Sequence, residues 1–151
     1  MTYDHILDTL NDLIETCKDG EYGFIACAKH VESIELRNQF QARAAECRLA
    51  ADELRDRVIE YGGKGEVGGS TAGAIHRGWV AVRSSLLGYT DEAMLEECER
   101  GEDIAKTRYR KALESGYLPE SLRPMVQRQY RGVERNHDLV KALRDRAHAT
   151  M

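Results

Sequence analysis

Apolar residues recur at alternating spacings of three and four along most of this chain, and that periodicity restricts its fold to long amphipathic helices. Only two prolines occur among the 151 residues, so little in the sequence would interrupt such helices. The first pattern predicts a helix from about residue 3 to about residue 31. Its inward-facing positions are Ile6, Leu10, Leu13, Cys17, Glu21, Phe24 and Ala28.

A second helix follows almost at once. Ser33 is its expected N-cap, and Tyr61-Gly62-Gly63 supplies its C-terminal stop, because glycine accepts the left-handed cap conformation. A connection of only two or three residues makes the first two helices an antiparallel hairpin. The inward positions of the second helix are Leu36, Phe40, Ala44, Cys47, Ala51, Leu54 and Val58.

The C-terminal part of the chain repeats this arrangement. Thr90 or Asp91 is expected to cap a third helix over about 91–115, and Pro119 or Ser121 to begin a fourth that ends near residue 147. The inward positions are Leu95, Cys98, Glu102, Ala105, Tyr109 and Ala112 in the third helix, and Leu122, Val126, Tyr130, Val133, His137 and Val140 in the fourth.

Between the two hairpins lies a glycine-rich segment, about residues 62–70, which we interpret as a flexible linker. It leads into a shorter predicted helix over about 70–87, which would form the long crossover between the hairpins. The predicted fold is therefore all-α: one domain over residues 1–151, built as a ferritin-like antiparallel four-helix bundle with an extra short helix in the crossover.

Composition excludes several classes of partner. The net charge of -4 disfavours binding to a nucleic acid, and no apolar run reaches the roughly 20 residues that a membrane span requires. The N-terminal residues lack the basic start and apolar run of a signal peptide, so we expect a cytoplasmic protein. The four cysteines form no Cys-x-x-Cys pair and are expected to be buried thiols.

Acidic residues at inward positions are the sequence's main indication of chemistry. Glu21 and Glu102 interrupt their apolar stripes, and a buried carboxylate must be paired, hydrogen-bonded or bound to metal. Glu46 lies at the same distance from the first turn as Glu21, so the two are expected to face each other. Glu99 shares the inward side of the third helix with Glu102.

Glu134 and His137 add a Glu-x-x-His unit on the fourth helix, whose members project from the same face. Such units occur in bundles that hold two metal ions between carboxylates, and oxygen-rich ligands with an imidazole suit iron or manganese. The predicted metal ligands are Glu21, Glu46, Glu99, Glu102, Glu134 and His137.

The chain resembles the small bacterial ferritin-like proteins that are grouped as a domain of unknown function and are often linked to stress responses. The resemblance covers nearly the whole chain and implies the bundle, but no settled activity. It depends on residues 10–20 (LNDLIETCKDG), 73–79 (GAIHRGW) and 96–103 (EECERGED), and on Gln129-Tyr130 followed by His137-Asp138.

One departure from the di-iron pattern leaves the function open. Leu49 stands three residues after Glu46, where a second histidine would be expected, and an inward Arg48 or Arg100 would neutralise the glutamates without any metal. The leading hypothesis is a bundle that binds one or two metal ions, with ferroxidase or peroxide-detoxifying activity. The alternative is a non-enzymatic stress-response bundle that has lost the metal centre and acts by self-association or partner binding. We expect a monomer or a homodimer.

Overall fold

The computed structural model describes residues 3–64 and 89–149, and this part of the chain contains four α-helices and no strands. It confirms the predicted all-α four-helix bundle. The predicted helix over 70–87 and most of the predicted linker lie outside the described residues. The helices are α1 (Asp4–His30), α2 (Ile34–Glu60), α3 (Asp91–Glu114) and α4 (Arg123–Ala149).

Side-chain caps fix where α2 and α3 begin. The Ser33 hydroxyl accepts a hydrogen bond from the Leu36 backbone N–H at 3.2 Å, as the sequence predicted. Of the two predicted caps for α3, Thr90 fills the position. The Asp91 carboxylate instead accepts the backbone N–H groups of Glu32 and Ser33 at 2.7 and 3.1 Å, which ties the start of α3 to the α1–α2 turn.

The fourth helix begins later than either predicted start. A hydrogen-bonded turn precedes it, in which the Leu122 N–H donates to the Pro119 carbonyl at 2.9 Å and the Arg123 N–H donates to Glu120 at 3.3 Å. The chain then enters regular helix at Arg123. Gly116, with φ at 78°, takes the left-handed conformation that ends the preceding segment.

The order of the helices follows from their contacts. Helix α1 packs on α2 and α3, and α3 packs on α4. The end of α2 lies beside the start of α1, where the rings of Tyr3 and Tyr61 are 5.1 Å apart, whereas α3 starts beside the α1–α2 turn. Helix α2 therefore ends at the opposite end of the bundle from the start of α3, which is the arrangement of a bundle with one long crossover.

Two apolar clusters fill the bundle, one toward each end. The first includes Leu13, Leu54 and Val126, and the second includes Phe40 and Met94. Each fully buried side chain of this size stabilises the fold by roughly 1.5–3 kcal/mol. No helix among the described residues is both long enough and apolar enough to cross a membrane. Between the two clusters lie the polar groups of the core.

Candidate functional site

A group of three possible metal ligands lies along the seam between α3 and α4. Glu99 and Asp103 are one turn apart on α3, and His137 faces them from α4. One ligand atom from each lies within 4.8 Å of the other two, and His137 Nε2 is 2.6 Å from Asp103 Oδ1. Carboxylate and imidazole atoms bind a metal at about 2.0–2.2 Å, so small side-chain rotations would bring all three onto one ion.

The environment of this seam site combines burial and access. The side chains of His137 and Glu99 are 11% and 14% exposed, whereas Asp103 is 60% exposed and leaves one side open to solvent. Asp138 Oδ1 lies 3.4 Å from His137 Nδ1 and helps to orient the ring with Nε2 toward α3. The positive charge beside Glu99 is that of Arg144, whose Nη1 lies 2.6 Å from Glu99 Oε2.

A second group of the same composition lies further along the seam. His148 Nε2 is 3.1 Å from Glu92 and 3.5 Å from Glu96, which are again one turn apart on α3. The His148 side chain is 50% exposed. Both groups thus place two α3 carboxylates against one α4 histidine, but the second is much closer to ordinary surface ion pairing.

The inward carboxylate Glu102 is neutralised by an arginine. Arg43 Nε donates to Glu102 Oε2 at 3.2 Å, and the amide of Asn136 donates to the same oxygen at 3.0 Å. The exposed fractions of the Arg43 and Glu102 side chains are 8% and 2%. Burial raises the pKa of Glu102, while the charge of Arg43 and the Asn136 hydrogen bond oppose that rise.

The other predicted ligands lie in separate places. Lys18 Nζ is 3.4 Å from Glu21 on α1, and Arg43 is 3.2 Å from Glu46, whose side chain is 52% exposed. Glu134 is half-buried on α4. The structure thus brings Glu99 and His137 together and places Glu21, Glu46 and Glu134 outside both ligand groups.

Sequence reasoning missed two residues of these sites. Asp103 follows Glu99 by four positions, which is the spacing of neighbours on one helix face. Arg43 lies between Phe40 and Cys47 at spacings of three and four, so the helical period could have identified it as inward-facing. The sequence alternative of an inward arginine named Arg48 and Arg100. Arg48 is exposed, and Arg100 pairs with the buried Glu97 at 3.4 Å.

The family described as a domain of unknown function, DUF2383, matches residues 5–115 of the chain. The matched range begins at the second residue of α1, covers α2 and α3, and therefore includes Glu99 and Asp103. Helix α4, which provides His137, lies beyond it. No curated protein matches the chain.

Proposed function

We propose that this chain, which belongs to the DUF2383 family of unknown function, binds one divalent transition-metal ion through Glu99, Asp103 and His137. The observation that carries the proposal is the convergence of two carboxylates and one imidazole from two helices, with ligand atoms within 4.8 Å of one another. Within the matched family range only the two carboxylates are present, so the site depends on α4 as well.

The donor set favours iron(II) or manganese(II), since oxygen ligands combined with one imidazole suit these ions. His137 Nε2 and Asp103 Oδ1 lie 2.6 Å apart, and binding a metal ion there requires the neutral imidazole and the ionised carboxylate as ligands. Three protein ligands leave coordination positions for water on the exposed Asp103 side. That openness supports the further hypothesis of a ferroxidase or peroxide-detoxifying role in stress response.

The test is anaerobic titration of chelator-treated protein with Fe(II) or Mn(II), followed by element analysis of the protein after gel filtration. We expect about one ion per chain, and at least a tenfold loss of affinity in both His137→Ala and Glu99→Gln. The matched control is His148→Ala, which removes the histidine of the more exposed group and should leave the tight site intact. Metal-free protein that takes up neither ion, or equal binding by His137→Ala, would refute the proposal.

Arg144→Gln gives the test a variant that should gain function. Arg144 Nη1 lies 2.6 Å from Glu99 Oε2, so removing this cation frees a ligand and should strengthen metal binding several-fold. Oxidation of Fe(II) in air is then compared between this variant and the parent protein. A rate above that of protein-free buffer, abolished by His137→Ala, would support redox activity at the same ion.

A second candidate function has its own support. Arg43 neutralises Glu102 in the core, one of the carboxylates that the sequence predicted as a metal ligand. This pairing favours a structural bundle that acts by self-association or through a partner without a metal centre. Sedimentation of chelator-treated protein separates the two candidates: a stable homodimer without any metal uptake favours the second.

A further inference from the structure

A cavity of about 330 Å³ lies in the middle of the bundle, and residues of all four helices line it. Cys17 of α1, Cys47 of α2, Tyr109 of α3 and Gln129 of α4 are among them. An engineered apolar cavity of about 150 Å³ holds benzene, so a cavity of twice that volume has room for two fused rings. The seam ligands Glu99, Asp103 and His137 do not line it.

The wall of the cavity is mainly apolar. Three buried thiols line it, and burial raises the pKa of Cys17 to about 11 and the pKa of Cys47 further. These thiols are therefore uncharged at neutral pH and behave as small apolar groups. The other apolar side chains on the wall include Phe24, Ile104, Ala105 and Val133.

The charged groups at the centre of the cavity are already matched. Arg43 and Glu102 both line it and pair with each other at 3.2 Å. Glu46 contacts the same guanidinium at 3.2 Å, so a charged ligand at the centre would meet groups that are already paired, and burying an unpaired charge is strongly unfavourable. Arg135 also lines the cavity, but it is exposed to solvent. A ligand of the cavity is therefore expected to be neutral.

Hydrogen-bonding groups on the wall give the ligand a polar contact. The Tyr109 hydroxyl donates to Gln129 Oε1 at 2.8 Å and lies 3.1 Å from Cys17 Sγ. Because the Tyr109 proton is directed to Gln129, the Cys17 thiol is the donor in the second contact, and the remaining lone pair of the Tyr109 oxygen is the acceptor available to a ligand hydroxyl. The position of this hydroxyl at the cavity wall favours a ligand with one such group.

Exposed side chains of α2 and α4 line one part of the cavity, including Leu49 and Arg128. Arg128 pairs there with Glu53 at 2.6 Å, and their side chains are 59% and 40% exposed. An ion pair this exposed is weak, so we expect a small molecule to enter on this side.

We propose that this cavity is a binding site for one small, uncharged, mainly apolar molecule of about two fused rings that carries a hydroxyl group. The three probes for the test share the same ring system: 1-naphthol, 1-naphthalenesulfonate and 1-naphthylmethylamine. Isothermal titration at pH 7 should give one 1-naphthol per chain, with at least tenfold weaker binding of the anion and the cation. Similar affinity for all three, or several molecules per chain, would overturn the proposal.

Two alanines of α2 provide a matched pair of variants. Ala50 is half-buried and lines the cavity, whereas Ala45 is exposed and does not. Ala50→Phe should weaken 1-naphthol binding at least tenfold, and Ala45→Phe should leave it unchanged. Equal affinities in the two variants would contradict binding in the cavity.

Gly132→Ala keeps the test decisive if Ala50→Phe does not fold, as judged by circular dichroism. A Cβ at Gly132 would meet only ordinary contacts, at 3.7 Å from Arg135 and 3.8 Å from Arg43, so the variant should fold. It reduces the cavity and should weaken 1-naphthol binding several-fold, and unchanged affinity would count against the proposal. Binding of 1-naphthol should also persist in His137→Ala, which separates this site from the metal site.

Discussion

Replacing Arg43 by methionine keeps an apolar stem of similar length but removes the charge that neutralises Glu102. The two side chains are 8% and 2% exposed, so the variant leaves a carboxylate in the core that still accepts a hydrogen bond from the Asn136 amide but has lost the guanidinium. Removing one member of a buried ion pair typically costs about 3–5 kcal/mol. For a chain of this size each kcal/mol lowers Tm by roughly 2–4 °C, so we expect Tm to fall by about 10 °C.

Urea unfolding of Arg43→Met, Glu102→Leu and the double variant measures the coupling between the two residues. The double variant should recover to within about 1 kcal/mol of the parent protein, because an apolar pair can replace a buried ion pair at little cost. The pH dependence gives an independent check. Burial raises the pKa of Glu102 above its value in the unfolded chain, so the folded protein takes up a proton on Glu102 at a higher pH than the unfolded chain does. The loss of unfolding free energy in Arg43→Met should therefore become smaller as the pH falls below neutrality.

Glu46→Gln is the control for these measurements. Glu46 contacts the same guanidinium at 3.2 Å, but its side chain is 52% exposed, so its loss should cost less than about 1 kcal/mol. If Arg43→Met loses less than about 1 kcal/mol of unfolding free energy, or loses more as the pH falls, then Arg43 does not hold Glu102 as a buried anion.

Three further predictions concern local packing and reactivity. Thr90→Ala removes the hydroxyl that accepts the Ala93 N–H at 3.0 Å, so urea unfolding should show a loss of about 1 kcal/mol, and no loss would contradict its capping role. In Gly20→Val, the new Cβ would lie 3.0 Å from Cys47 Sγ, so urea unfolding should show a loss of stability of about 1–3 kcal/mol. Adding Cys47→Ala should restore part of that loss, and a Gly20→Val variant as stable as the parent would contradict the close packing. All four cysteines are buried, and burial raises the pKa of Cys17 to about 11. Ellman's reagent should therefore react slowly with the thiols of the native protein at pH 8 and completely only after unfolding, and a rapid reaction of the native protein would contradict this.

The helices could be predicted closely because their period is local information. The first helix was expected over residues 3–31 and spans Asp4–His30, and the Ser33 cap is where the sequence indicated. The predicted start of α4, at Pro119 or Ser121, was wrong by four or two residues because Pro119 opens a separate turn before the helix. Periodicity does not distinguish a turn of this kind from the first turn of a helix.

The charge partners could be predicted only in part, because they depend on distances between helices. The period shows that Glu102 faces inward, but not that Arg43 of α2 reaches it across the bundle. Matching offsets from a turn predict equal height, and this placed Glu99 near His137. The same rule paired Glu21 with Glu46, although Glu21 contacts Lys18 on its own helix and Glu46 is exposed. Height alone does not determine the direction in which a side chain points.

The pairs Arg43–Glu102 and Arg144–Glu99 differ in how readily a metal ion could replace the arginine. Displacing Arg43 from Glu102 would leave a guanidinium 8% exposed with only the half-exposed Glu46 as its carboxylate partner, and breaking a buried pair costs about 3–5 kcal/mol before any metal bond forms. The side chain of Arg144 is 28% exposed and also contacts Asp145 at 3.1 Å, so it could leave Glu99 and remain solvated. A pair that solvent reaches is easier to separate than one in the core. Metal binding is therefore expected at the α3–α4 seam before the core, even though the core holds the more deeply buried carboxylate.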